Sequence, residues 1–479
     1  MVFRVKKGNE ISIYDLLPKV IEENEQWRKW ELKNGSFAFR VKEYPIGEID
    51  EIFDLPANVS VADLEDANER LFEVFDNYKD QKRQGTDFEI ESSPSNYPYD
   101  PKKISISNFN WSVDTMWQML DRKIITLSPD FQRNFVWDYA RQSRLIESIL
   151  LGIPVPAFYL AKSEKGNYNV VDGLQRLTTI NRFLNNEFNL KYLEYLNGYN
   201  NTDNLEGYYY KTVGDKKGID SLLDGDYEFR LKSTQFNVNV MDVATPIRVK
   251  LDVFRRINSG GKPLNNQEMR NCLMEKDTRE LINELAESDI FVDATGKSVT
   301  TDRMVAQELV MRFIGFWYIE ILHYTDNKDN QPMDYNGDMQ GFLDYLVGFL
   351  NKEGTKYHKN IRESFTRGMT NAYHLFGRYC FRKCLPKHLE INAPKQLINK
   401  SLFTTWSIML SKYDTAKVTQ NNEPELFART LAYELENDQE LFINVSYRTN
   451  DRKVLSFIQL LKRAVNFVYR FIFHLKQYI

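Results

Sequence analysis

Residues 168–184 read YNVVDGLQRLTTINRFL. A β-branched run stops at Asp172-Gly173, and apolar side chains then recur at helical spacing, at Leu177, Ile180 and Leu184. The stretch reads as a strand that becomes an amphipathic helix with no loop between them. A helix entered this way exposes its first amides, which have no intrahelical acceptors. With the helix dipole, those amides favour an anion, phosphate above all. Gly173 permits tight backbone geometry, and Arg176 on the first turn carries a fork that fits phosphate oxygens. The ordinary alternative makes Asp172 a helix cap and Arg176 its surface partner.

The neighbouring sequence sets this turn in a mixed α/β region. AFYLA (157–161) reads as a strand, joined to YNVVD by a hairpin turn at Gly166. Asp138 can cap a helix running to about Leu151, with Leu145, Ile146, Ile149 and Leu150 inward and Gly152 and Pro154 ending it. DYEFRLK (226–232) and FNVNVMD (236–242) read as a strand pair, and RVKLDVFRRIN returns to helix. Beyond about residue 275 the pattern is helical and rich in aromatics, as in MVAQELVMRFIGFWYIEIL, GFLDYLVGFL, LFTTWSIML and VLSFIQLLKRAVNFVYRFIF. Ahead of the α/β region, Leu64, Ala67, Leu71 and Val74 predict a helix, and SSPSNYPYDPKK is the best linker. The expected division is an N-terminal extension at 1–92, a linker at 93–103, an α/β domain at 104–275 and a helical domain at 276–479. The fold class is α+β.

A chain of 479 residues exceeds the usual size of a single core. No apolar run approaches the ~20 residues that span a bilayer, and MVFRVKKGNEISIYDLL lacks a signal-peptide core. Cys272, Cys380 and Cys384 are too few and uneven for a disulfide framework, so a reducing cytoplasm is expected. Residues 1–100 carry a net charge of −9 and the rest +5. Solvated surface explains both; an acidic front that covers a basic surface is the sharper reading. A balance of +5 does not by itself indicate nucleic-acid binding.

Two further segments carry polar groups at conspicuous places. In PDFQRNFVWD (129–138), Phe131, Phe135 and Trp137 suit packing while Gln132 and Arg133 stay polar. In FRRINSGGKPLNNQEMRN (254–271), Asn265 and Glu268 form a capping box that opens a helix. The preceding Gly260-Gly261-Lys262, with Arg255 and Arg256 beside it, suits phosphate or DNA, or an ordinary turn with solvated charges. A Walker-type phosphate loop is absent from the sequence.

In this order, PDFQRNFVW (129–137), SILLGIPVP (148–156), DGLQR (172–176) and FRRINSGGKPLNNQEMRN (254–271) resemble the N-terminal domain of GmrSD-type modification-dependent restriction systems. The resemblance covers about residues 105–275 and departs from the family at Leu174, where the usual segment is DGQQR. It implies a ParB/sulfiredoxin-like core between the acidic extension and a large all-helical C-terminal domain. It also implies an NTP of unknown base, with Mg²⁺, in a Mg-dependent nucleoside triphosphatase of anti-phage defence. Asp172, Gln175 and Arg176 become the catalytic residues and Gly173 part of the phosphate site. Gln132 and Arg133 line another wall, Arg256, Asn258 and Gly261 close it, and Glu268 and Asn271 are candidates for the metal or its water shell. Implied partners are the nucleotide, DNA including modified phage DNA, and a separate nuclease subunit where cutting needs one. A second copy of the chain is left open, and no membrane is involved. A nuclease in this chain, or a nucleotide-gated adaptor without turnover, are the other readings.

An HNH-type nuclease is not expected, because His323, His358, His374, His388 and His474 are dispersed through segments that do not read as a ββα unit. Cys380, Cys384 and His388 have helical spacing, but Pro386 interrupts it and no fourth ligand is evident, so buried thiols are expected rather than zinc. The basic and aromatic tail from Arg452 to Lys476 reads as a packed terminal helix with a solvated edge, or as a face for DNA or a partner.

Overall fold

A computed structural model describes residues 2–7, 10–15, 17–23, 28–34, 37–43, 49–53, 59–61, 83–86, 104–127, 137–199, 202–211, 221, 225–257, 264–300, 302–323, 333, 335, 338–390, 392–419 and 424–437. The fold is α+β, with three sheets and fourteen α-helices among these residues. It divides into two compact units. One comprises Met1–Asn96, Glu280–Leu343 and Thr355–Ile479; the other comprises Tyr97–Arg279 and Asp344–Gly354.

The first unit opens with strands. β1 (Val2–Lys7), β2 (Glu10–Asp15) and β7 (Val59–Val61) form a sheet in the order β2-β1-β7. β3 (Leu17–Glu23), β4 (Arg28–Asn34), β5 (Phe37–Glu43) and β6 (Ile49–Phe53) form a second sheet in chain order. Both are antiparallel throughout. The acidic extension is thus largely β in its described part. The helix expected at Leu64–Val74 and the linker at 93–103 lie outside the described residues.

The second unit holds a five-stranded sheet in the order β8-β12-β10-β11-β9, formed by β8 (Ile106–Ser112), β9 (Ile125–Thr126), β10 (Phe158–Lys162), β11 (Tyr168–Asp172) and β12 (Gln235–Met241). On one face, Phe158, Leu160, Val170, Phe236, Val238 and Val240 meet the apolar sides of four helices. These are α1 (Val113–Asp121), α2 (Tyr139–Leu150), α3 (Leu174–Leu184) and α4 (Asp226–Ser233). Asp138 caps α2 as expected, its Oδ1 accepting from Arg141 N at 2.8 Å. α5 (Ile247–Ile257) and α6 (Asn266–Leu273) pack beside β11.

One expectation is corrected here. DYEFRLK is helix α4, not a strand. Asp226 and Glu228 lie in its first turn and Arg230 and Lys232 in its last, which complements the helix dipole. Lys232 Nζ is 2.8 Å from Glu228 one turn back, a spacing that only a helix makes close. The strand begins after it, at Gln235.

Beyond α6 the described chain is helical, mostly in the first unit, with residues 344–354 belonging to the second. α7 (Lys276–Ala286) and α8 (Asp289–Ala294) lead to α9 (Val305–Glu320), whose residues from Val305 to Tyr318 are all buried, as suits a central helix. α10 (Met339–Glu353), α11 (His358–Phe376), α12 (Lys400–Ser411), α13 (Thr415–Thr419) and α14 (Pro424–Asn437) follow. Gly368 of α11 lies against the Ser407 carbonyl of α12, too close for any Cβ.

Cys380 and Cys384 are buried free thiols held protonated by burial, Cys384 being pushed up to about 11. His388 Nδ1 accepts from Leu385 N at 3.0 Å within the 3-10 turn Pro386–Leu389. Among the described residues no three His, Cys, Asp or Glu side chains are grouped to hold a metal. No helix there is long and apolar enough to cross a membrane. The basic tail lies outside the described residues.

Candidate functional site

β10 and β11 pair antiparallel, and the register shifts between Tyr159 and Leu160, so that Tyr159 faces Asp172 and Leu160 faces Val170. The extra residue, Val171, is a bulge of the kind that bends a strand next to a site. The chain then turns through Gly173, the residue before α3, at φ +96°. Only glycine meets both demands here. An L side chain is strained at that φ, and a Cβ would press into the Phe158 ring and come within 3.3 Å of Arg176 Nη2. No side chain caps α3, and no acidic residue sits in its first turn. The dipole at this end is therefore not answered by a local carboxylate on the helix.

Arg176 folds back over the turn. Its Nη2 donates to Asp172 Oδ2 at 2.8 Å and to the Ala157 carbonyl at 3.3 Å, and its Nη1 donates to the Pro156 carbonyl. The guanidinium carbon lies 4.6 Å from the centre of the Phe158 ring. Only 12% of the Arg176 side chain is exposed, against 30% for Asp172. Burial lowers the pKa of Arg176, and the Asp172 carboxylate opposes that shift. The planar fork is thus fixed between a strand end and a helix start, with at least three of its five donors engaged by the protein. Gln175 is half-buried beside it, and Leu174 packs against the core of α1–α4.

A polar row crosses the sheet from this turn. Asp172 faces Tyr159, Tyr159 faces Asn239 in parallel β12, and Asn239 faces Asn108 in edge strand β8. Residues opposite one another share a face of the sheet. Asn110 and Asn237 form the adjacent opposed pair, and Asn108, Asn110 and Asn237 are exposed. This row was not singled out from the sequence, although its signal is present: Asn alternates with apolar residues in SNFNW and in FNVNV.

The structure brings Asp172, Gly173, Gln175 and Arg176 together at one turn. Arg256 stands on the last turn of α5, 76% exposed, with Nε 3.3 Å from Asp252. Glu268 and Asn271 lie on α6. The Glu268 carboxylate accepts from Asn265 N at 2.7 Å while Asn265 Oδ1 accepts from Glu268 N at 2.8 Å, the capping box expected from the sequence. Glu268 is 7% exposed and Asn271 fully buried, so neither is disposed as a direct ligand for a hydrated cation. Gln132, Arg133, Asn258 and Gly261 lie outside the described residues.

Beside α5 and α6 the second unit contains a buried ion network. Arg270 is fully buried and its Nε donates to Asp344 Oδ1 at 2.7 Å, while Arg255 Nη2 stands 3.5 Å from the other oxygen. Arg255 Nε also donates to Asn266 Oδ1 at 3.2 Å. The network fastens the end of α5 and the start of α6 to Asp344.

The family model described as GmrSD restriction endonuclease, N-terminal domain, matches residues 116–275. No curated protein and no solved structure matches the chain. The matched span contains β11, the Gly173 turn and all of α3. This stretch of the chain is therefore similar to the N-terminal domain of the GmrSD restriction endonuclease family.

Proposed function

We propose that the chain is a component of a phage-defence restriction system. In this reading the second unit binds a nucleoside triphosphate at the start of α3, hydrolyses it, and couples turnover to engagement of DNA. The observation that carries the reading is the Arg176 guanidinium, held rigidly over an uncapped helix start by Asp172 and two main-chain carbonyls. A fork already positioned beside helix amides complements a phosphate that shares it with Asp172, and so stabilises charge developing on a transferred phosphoryl group. Gly173 lets the phosphate approach the backbone, as the turn of a ParB-like core would require. Gln175, on the same turn, orients the attacking water. The Asn239 and Asn108 row supplies amides for the sugar and base.

Magnesium would arrive with the triphosphate, since Mg²⁺ is held mainly by phosphates and water with one or two carboxylates. Asp172 is the carboxylate at this turn that fits such a role; Glu268 and Asn271 do not fit as direct ligands. The metal supplies charge neutralisation when bound, while Arg176 and the first amides of α3 orient the phosphates.

A second reading, a nucleotide-gated adaptor without turnover, is favoured by Leu174. Where relatives resembling this chain carry a glutamine, Leu174 is turned to the core and offers no polar group. Phosphate release from a panel of NTPs, with and without modified DNA, tests the choice. Release stimulated by DNA supports coupled hydrolysis. Nucleotide binding with no release supports the adaptor, and neither binding nor release overturns both.

A further inference from the structure

Five consecutive main-chain N–H groups, from Tyr192 to Leu196, donate to two carboxylates. Glu206 accepts from Tyr192 at 3.2 Å and Leu193 at 2.7 Å. Glu147 of α2 accepts from Glu194 at 3.0 Å, Tyr195 at 2.7 Å and Leu196 at 2.8 Å. Glu147 is itself only 3% exposed. The segment is closed further on by Leu205 N donating to the Leu196 carbonyl at 2.9 Å, and Asn197 Oδ1 accepts from Tyr199 N at 3.1 Å. Charge-assisted bonds of this kind are the stronger class, so the loop is held by its own backbone.

The consequence is a sorting of side chains. Leu193 and Leu196 are buried in the core of α1–α4. Tyr192, Tyr195 and Tyr199 are 67%, 59% and 74% exposed. Tyr192 is held at φ +60°, a conformation that is uncommon for a bulky residue and persists only where its surroundings enforce it. Among the described residues, none of the three rings packs on another aromatic ring. An adjacent charge pair is balanced, with Arg144 Nε 3.0 Å from Glu194.

We propose that the 192–199 loop is a stacking surface for unstacked bases of DNA. The proposal rests on the DNA partner of the preceding section and assigns where its bases are met. Beside Glu194, the large side chains that the loop exposes are flat phenols, and its leucines face inward. Bare rings on a backbone already fixed suit planar π ligands, since only the side chains remain to be ordered on binding. Arg144 and Glu194 neutralise each other while Glu147 and Glu206 add negative charge at the loop, so charge does not favour DNA here and affinity comes from the rings.

The test uses the full chain and a single-stranded oligodeoxynucleotide containing 2-aminopurine, whose fluorescence reports stacking. Wild type, Tyr195→Ala/Tyr199→Ala and Tyr195→Phe/Tyr199→Phe are compared over a range of salt, with thermal melting to check folding. The alanine variant is expected to bind about ten-fold more weakly or worse, since base–aromatic stacking is worth roughly 1–3 kcal/mol per base. Its salt slope stays unchanged and the phenylalanine variant binds as wild type does. Equal binding by the alanine variant, or equal loss in the phenylalanine variant, overturns the stacking surface. Phosphate release from NTPs is measured on the same preparations. Turnover that persists while the tyrosine substitutions leave DNA affinity unchanged removes only this inference. A wild-type chain that neither binds DNA nor releases phosphate removes the proposed function as well.

Discussion

Arg176 Nη2 lies 2.8 Å from Asp172 Oδ2, across the turn where strand β11 becomes helix α3. The pair is spaced as on one helical turn, yet Asp172 belongs to the strand and Gly173 intervenes at φ +96°. Asp172 therefore aims the fork and also occupies it. A phosphate arriving at the helix start would share or displace that carboxylate, which sets two roles of one residue against each other.

Asp172→Asn separates those roles. Without the carboxylate, Arg176 is free to turn wholly to phosphate. Binding of metal-free nucleotide is expected to tighten severalfold in titration calorimetry, while Mg-dependent phosphate release slows because the fork is less well aimed and the metal's carboxylate is lost. Weaker binding in Asp172→Asn would mean that Asp172 is not a competitor for the guanidinium.

Gly173→Ala meets two penalties at once, a left-handed backbone and overlap with the Phe158 ring. Together these predict a loss of about 2–4 kcal/mol in chemical denaturation. A change within about 0.5 kcal/mol, the range of ordinary surface substitutions, would show that the turn relaxes easily.

Glu147→Gln replaces an acceptor of three amides with a group that donates on one side. A loss of about 1.5–3 kcal/mol is expected, with faster hydrogen exchange at Glu194, Tyr195 and Leu196. Unchanged exchange at these amides would show that the loop does not depend on the carboxylate.

Asp344→Leu deprives the buried Arg270 of the carboxylate 2.7 Å from its Nε, at an expected cost of about 3–5 kcal/mol. Joining it to Arg270→Leu should recover most of that loss, because removing both charges also removes their desolvation. A double variant no more stable than Asp344→Leu would locate the cost in packing rather than in charge.

In the first unit, Arg362 holds the Glu284 carboxyl below its usual range, chiefly through their hydrogen bond. The depressed folded pKa makes the sign definite. The stabilisation is present above the unfolded value near 4.5 and is lost as pH falls through the lower folded value. Both side chains are about half exposed, so the term is no more than about 1 kcal/mol. Denaturation midpoints of Glu284→Gln should track wild type below the folded pKa and fall slightly short of it above pH 5.

The local structure of the turn at 172–176 and of the start of α6 was legible because its signals are local. The Asp-Gly pair marked the strand end, the spacing of Leu177, Ile180 and Leu184 marked the helix face, and Asn265 with Glu268 announced the cap of α6. DYEFRLK was misread because alternation over a few residues does not distinguish strand from helix, and the Glu228–Lys232 pair that decides it needs helical geometry to form. What sequence spacing could not carry was partnership across the fold. That Arg176 turns back to the carbonyls of Pro156 and Ala157 depends on how β10 pairs with β11. The polar row from Asp172 to Asn108 depends on registers among four strands that are scattered along the chain. Glu147, on the apolar side of α2, gave no hint that it would gather three amides some 47 residues away.

The central claim, a triphosphate docked at the start of α3, is tested most directly by hydrogen exchange of the wild-type chain with and without Mg-nucleotide. The account predicts slower exchange at Leu174, Gln175 and Arg176 when the preferred NTP is added, with no comparable change at the C-terminal end of α3. Saturating nucleotide that binds elsewhere and leaves those three amides exchanging at their former rate would contradict it.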